Sequence, residues 1–194
     1  MMVNAQSAIV DNDFVGHLVE SKLSDERLVA ILQMVFSDLA LNAVMHPLVY
    51  EKELLVDSKR ITLLFQNGVI NKAEFADIFQ EDPAKKAYYL YLVTELFASL
   101  TGETFPVSGD AILTHWVRQQ SLGEVHSLSM CLVCGCGIFL SDDNDAKALK
   151  TYIDQKSLGT VTVYNRSEFI SKHMVESEHK LDRRERRSLT HSLR

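Results

Sequence analysis

An alternation of short apolar runs with amphipathic segments predicts an α/β fold, with a mostly parallel central sheet flanked by helices. The runs at Ser7–Val10 and residues 137–140 each stop abruptly in paired acids, as buried strands do where they leave a sheet. Each is followed by apolar residues at helical spacing. A chain of 194 residues, 46% hydrophobic and 24% charged, fits one domain, or one domain with a large insertion.

The elements follow in order. After Ser7–Val10, the apolar positions Phe14, Leu18 and Val19 predict a short helix. Ser24 is a good N-cap, with Asp25 and Glu26 in the first turn, for a helix reaching about Phe36. Residues 41–45 read as a second strand. His46-Pro47 then opens a helix through Leu55, because Pro47 has no amide hydrogen to lose at a first helical position. Residues 61–65 suit a strand or a helix equally, and Asn67-Gly68 is a turn. Asn71 is expected to cap a short helix reaching Phe79. Asp82-Pro83 starts a strong helix carrying Tyr88, Tyr91, Leu92, Leu96 and Leu100, which stops before Gly102. Residues 101–109 read as a loop. Gly123-Glu124 opens a helix with Val125, Leu128 and Leu132 on one face, and Gly135 and Gly137 end it. The strand at 137–140 runs into Ser141-Asp142-Asp143. Asp145 begins a helix with Ala146, Leu149 and Ile153 on one face, residues 160–164 form another strand, and a last helix starts at Ser167.

In parallel sheets the ligand site lies beyond the carboxyl ends of the strands. Asp11/Asp13 and Asp142/Asp143 are both expected at that edge, and Glu124 stands in the first turn of a helix. Acids after strands also serve simply as helix caps. Ionised carboxylates gathered in one place repel, however, and a cation offsets the repulsion. Oxygen donors alone suit hard ions, Mg²⁺ or Mn²⁺, which can activate water and stabilise charge on a phosphate under attack.

Three segments together resemble the PIN-like domain family: Ala8-Ile9-Val10-Asp11-Asn12-Asp13; Gly123-Glu124-Val125-His126-Ser127-Leu128; and Ile138-Phe139-Leu140-Ser141-Asp142-Asp143-Asn144-Asp145-Ala146, followed by residues 159–163. The likeness covers roughly residues 7–20 and 122–170. It implies a three-layer fold and a metal-dependent ribonuclease. Carried over by position, Asp11, Glu53, Glu124 and Asp143 are the catalytic acids, with Asp142 as the alternative to Asp143. The metal set is Asp11, Asp13, Glu124, Asp142, Asp143 and Asp145. The family's further helical glutamate falls on Glu53 or Glu51, which point about 200° apart on a helix, so only one can face the site. Glu53 is favoured. Many members are toxins paired with an antitoxin. RNA is therefore the expected substrate, with an antitoxin protein and a second copy of the chain in a homodimer as candidate partners. A non-catalytic nucleic-acid- or protein-binding module and a DNA-directed nuclease are the rival readings. Residues 56–115 match nothing in the family and are expected to be a mostly helical insertion into a domain spanning residues 1–179.

Net charge is −6 but unevenly spread. Residues 180–194 hold six Lys/Arg against Asp182 and Glu185, a net +4, which leaves 14 bases and 24 acids upstream, or −10. An acidic body is a poor surface for a polyanion unless part of its acidity holds cations, so the basic tail is the natural landing site for phosphates. The clustered Cys131, Cys134 and Cys136 form no disulfide framework, lack a second ligand pair for zinc, and fit a reducing cytoplasm. No apolar stretch approaches the roughly 20 residues that span a bilayer, and the N-terminus does not read as a secretory signal. Glu95 reads as a solvated helical acid, and His115-Trp116 as core rather than a base-stacking pair.

Overall fold

Five parallel strands form the centre of the computed structural model, which describes residues 3–4, 6–54, 59–117 and 121–191. They are β1 (Ser7–Val10), β2 (Asn42–Met45), β3 (Ile70–Lys72), β4 (Ile138–Leu140) and β5 (Thr162–Tyr164), in the order β3-β2-β1-β4-β5. The central strands are continuous apolar runs because both faces of the sheet are covered. Alternate residues face opposite sides. Ala8, Val10, Ala43, Met45 and Leu140 join one core, while Ile9, Val44 and Phe139 join the other.

The first core is closed by α1 (Asn12–Val19), α2 (Asp25–Asp38), α3 (Lys59–Gln66), α8 (Arg166–Glu176) and α9 (Arg183–Thr190). The second is closed by α4 (Phe75–Phe79), α5 (Pro83–Thr101), α6 (Leu122–Cys134) and α7 (Asn144–Lys156). The result is a three-layer α/β architecture. Among the described residues no helix is long and apolar enough to cross a membrane.

The chain leaves β1 toward β2 and β3 on one side, then returns to build β4 and β5 on the other. That reversal opens a crevice between the carboxyl ends of β1 and β4, the switch point where such sheets take ligands. Val10 stands opposite Leu140, and the amide of Asp11 donates to the Leu140 carbonyl at 2.9 Å. Asp11 and Ser141 therefore leave the sheet side by side.

Local chemistry sets most boundaries as expected. Ser24 accepts from the Arg27 amide, Asp82 caps α5 with Pro83 behind it, and Gly102 and Gly135 stop α5 and α6 in left-handed conformations at φ 74° and 69°. Residues 61–65 lie in α3. Asn71 departs from expectation: it is no cap but the middle of β3, opposite Val44. Glu74 caps α4 instead, through a reciprocal box with Asp77. Residues 59–113 are mainly helical and pack on the sheet, but they also supply its edge strand. The segment after His46-Pro47 widens into a π-helical turn, Val49–Glu53; Leu55 lies outside the described residues. The basic tail folds as α9, whose Leu189 is buried.

A buried polar chain ties the second core to the sheet end. The Leu48 amide donates to Nδ1 of His46 at 3.1 Å, so Nε2 carries the proton and meets the Tyr89 hydroxyl at 2.8 Å. Tyr89 then donates to Nδ1 of His126 at 2.7 Å. Burial holds His46 well below the usual histidine range and His126 at about 3, so both rings are neutral. Tyr89→Phe leaves two buried ring nitrogens without partners. Chemical denaturation should report a loss of about 1–3 kcal/mol.

Candidate functional site: a carboxylate pocket at the switch point

Asp11 stands at the N-terminus of α1, where an aspartate normally caps the helix. Here it makes no side-chain capping bond. It is 1% exposed, its Oδ2 lies 3.5 Å from the Ser141 hydroxyl, and its buried Oδ1 has no hydrogen-bond partner. Burial, then the charges of Glu124, Asp13 and Glu53, push its carboxyl well above the usual carboxylate range. The cap role taken by Asp82 is thus withheld at Asp11.

The neighbours come from the same helix and from three other elements. Asp13, in the first turn of α1, accepts from the Phe14 amide at 2.6 Å and lies 3.4 Å from the Ser141 hydroxyl. Burial raises its pKa, with hydrogen bonding to Asp11 and Phe14 working the other way. Glu53 projects from the π-helical turn. Desolvation, followed by Glu124, Asp13 and Asp143, raises it to about 8. Glu124, in the first turn of α6, is raised to about 7 by burial, with Asp143, Asp13 and Asp145 adding to it. Asp143 caps α7 by accepting from the Asp145 amide at 2.9 Å. Its own amide donates to the Ser141 hydroxyl at 3.1 Å. The fully buried Ser141 therefore links Asp11, Asp13 and the Asp143 backbone.

Two acids grouped with the metal set from sequence hold protein partners. Asp142 pairs with the Arg166 guanidinium, accepts from the Arg166 amide at 2.9 Å, and meets Nδ1 of His17 at 2.9 Å. Asp145 accepts from the Ser121 hydroxyl at 2.6 Å. The glutamates of the π-helical turn separate cleanly: Glu51 is exposed and pairs with Lys72 at 3.0 Å, while Glu53 is half-buried among the acids.

Gly123 makes room for Glu53. A Cβ built there would meet Cδ of Glu53 at 2.9 Å and Oε2 at 3.0 Å. Gly123→Ala should therefore displace that carboxylate. Alanine also suits a helix better than glycine. The expected result is an unchanged or slightly higher Tm, read by thermal melts.

The donor chemistry fits a hard divalent cation: oxygen atoms only, one fully buried and unpartnered. Among the described residues, no set of three His, Cys, Asp or Glu side chains is arranged as a ready coordination sphere. A groove of ≈ 320 Å³ leads from Asp13 and Glu53 across Gly16 toward Leu54 and Ile61.

Features set aside on sequence sit in structural roles. Burial lifts the Cys134 and Cys136 thiols to about 11 and about 12, and they donate to the Ile78 and Asn4 carbonyls at 3.8 and 3.2 Å. Trp116 packs against the second core, and Glu95 accepts from the Tyr152 hydroxyl at 3.2 Å. Ser141, His17 and Arg166 had no role assigned from sequence. The Ser-x-Asp spacing of Ser141 and Asp143 was the signal for the first. His17 one helical turn after Asp13 was a weaker one.

Comparison with family models, with curated proteins and with solved structures yields no match to this chain.

Proposed function

We propose that the protein is a divalent-metal-dependent endonuclease that hydrolyses RNA phosphodiester bonds, with Asp11, Asp13, Glu53, Glu124 and Asp143 as its working acids. One observation carries the reading. At the switch point of the sheet, a fully buried aspartate is withheld from capping its helix, keeps one oxygen unpartnered, and faces other carboxylates at close electrostatic range. Such crowding is destabilising in a protein of marginal stability unless it is used. Asp143 is exposed and caps α7, but a surface cluster of caps would not bury Asp11 and Glu124.

Mg²⁺ or Mn²⁺ held by Asp11, Asp13, Glu124 and Asp143 would offset the repulsion and polarise a phosphate oxygen. Glu53, held near neutrality and bordering the groove, is suited to take or return a proton at its carboxylate during attack by water. Ser141 fixes Asp11 and Asp13 relative to the α7 N-terminus. Asp142 serves as a brace, joining α1, β4 and α8 through His17 and Arg166. An antitoxin partner accompanies this reading only through the family resemblance, and a cytoplasmic location only through the clustered cysteines.

The test is cleavage of end-labelled single-stranded RNA and single-stranded DNA by purified protein with Mn²⁺, beside a chelated control. RNA cut only with Mn²⁺ is the expected result. DNA cut in preference to RNA transfers the site to a DNA-directed nuclease, and neither cut removes the enzymatic reading.

A further inference from the structure

The helix α9 carries Arg183, Arg184, Arg186 and Arg187, all exposed. Around the helix axis, Arg183 and Arg187 stand roughly 160° and 200° from Glu185, with Arg186 and Arg184 roughly 100° to either side of it. The inward face holds Glu185 and Leu189, both buried. On a body carrying −10, the natural expectation is that these arginines dock onto body acids. The opposite pairing holds. The acid of α9, Glu185, bonds the Arg27 side chain of α2 (Nε at 2.8 Å), while Asp182 is used as the helix cap. Among the described residues, none of the four arginines pairs with a carboxylate. Lys180 is held by the Met174 and Ser177 carbonyls and adds nothing outward.

Position adds a second line of argument. The helix packs on α8 and on α1, the helix that begins at Asp11 and carries Asp13. Its Thr190 lines a groove of ≈ 320 Å³ together with His17, Asp142, Asn165, Arg166 and Ser167. That groove ends at the residue next to Asp143. A polyanion repelled by the body therefore meets an unneutralised cationic face on a helix whose last turn borders that groove.

We infer that α9 is a docked phosphate-binding platform, on which Arg183, Arg184, Arg186 and Arg187 hold the backbone of the RNA strand that enters the carboxylate pocket. This inference rests on the nuclease reading for the strand's identity, but its test is separable. Backbone contacts by four cations release counterions, so affinity should fall steeply with salt, by about 0.7 in log–log slope for each phosphate contacted on a single strand.

The experiment measures anisotropy of a labelled single-stranded RNA with the full chain in chelator, so that no cleavage occurs, from about 50 to 200 mM salt. The wild type is compared with R183Q/R184Q/R186Q/R187Q, whose glutamines retain helix propensity, and with R183K/R184K/R186K/R187K. The Gln variant should bind about 10–100-fold more weakly at the low-salt end, with its slope reduced by about 2–3. The Lys variant should stay close to wild type. With Mn²⁺, the Gln variant should show a raised KM at little-changed kcat. Unchanged affinity and slope in the Gln variant would overturn the platform, as would loss of binding in both variants together with a lowered Tm. No binding by wild type in chelator also overturns it, and leaves Mn²⁺-dependent cleavage, if present, standing. Binding through α9 without any cleavage keeps the platform and removes the nuclease reading.

Discussion

Asp11→Asn is expected to abolish Mn²⁺-dependent RNA cleavage, by at least about 10²–10³-fold, and at the same time to stabilise the metal-free protein. The two effects share one cause. Asn keeps the shape of the side chain but removes an ionisable carboxyl from a position that is 1% exposed and faces Glu124, Asp13 and Glu53. A bound cation would hold that carboxyl ionised as an oxygen ligand; without one, its ionisation beside the other acids costs stability. Melting in chelator at pH 8 should show the variant's Tm raised by about 2–4 °C for each kcal/mol of repulsion relieved. An aspartate that were merely a structural part of the sheet end would give the reverse, a lowered Tm. Cleavage by Asp11→Asn at the wild-type rate would remove Asp11 from the site.

The second large effect is on the pH dependence of stability. Glu53 and Glu124 are raised to about 8 and about 7 in the folded chain, against an ordinary value of 4.5 for each. Between those limits the folded state holds more protons than the unfolded one, so stability falls as pH rises. The stabilisation is fully present below about 4.5 and is lost as pH passes through 7 and 8. Discounted for the partial exposure of Glu53, the loss is on the order of 1–3 kcal/mol across this window. Asp38, held at about 2 by Ser177 and His173, has the opposite sign, as do the buried neutral His46 and His126, but Asp38 acts only below its ordinary 3.8 and the histidines only below their ordinary 6.5. In chelator, Tm should therefore decline as pH rises from about 6.5 to about 9. Mn²⁺ should restore it at pH 8 and do little at pH 5, because a ligand that binds only the folded state stabilises by mass action, about 2.7 kcal/mol at 100 times its Kd, and protons compete for the same oxygens. Glu53→Gln should flatten the decline.

The parts of this arrangement that announce themselves in the sequence are those whose signals are local. Ser7–Val10 and Ile138–Leu140 are unbroken apolar runs ended by acids, so the central strands and the site edge were both legible. β3 was not. Ile70–Lys72 lies at the sheet edge, where Asn71 and Lys72 stay half-buried and no apolar alternation develops. The tail was legible as basic but not as a docked helix, since Arg183–Thr190 is dominated by charge and only Leu189 and Glu185 turn inward.

Within the site, residue type was legible and assignment was not. Asp142 and Asp143 are neighbours of identical chemistry. What separates them is Arg166, 24 positions away, and His17, 125 positions away, both of which claim Asp142. Gly123 reads as an ordinary helix-start glycine until Glu53 is found against it.

Calorimetric titration of chelator-stripped protein with Mn²⁺ at pH 7.5, wild type beside Asp11→Asn, tests most directly the claim that this pocket of carboxylates exists to hold a cation. Saturable binding that releases protons, and that is lost in the variant, is the predicted result. No binding by the wild type, or equal binding by the two proteins, would contradict it.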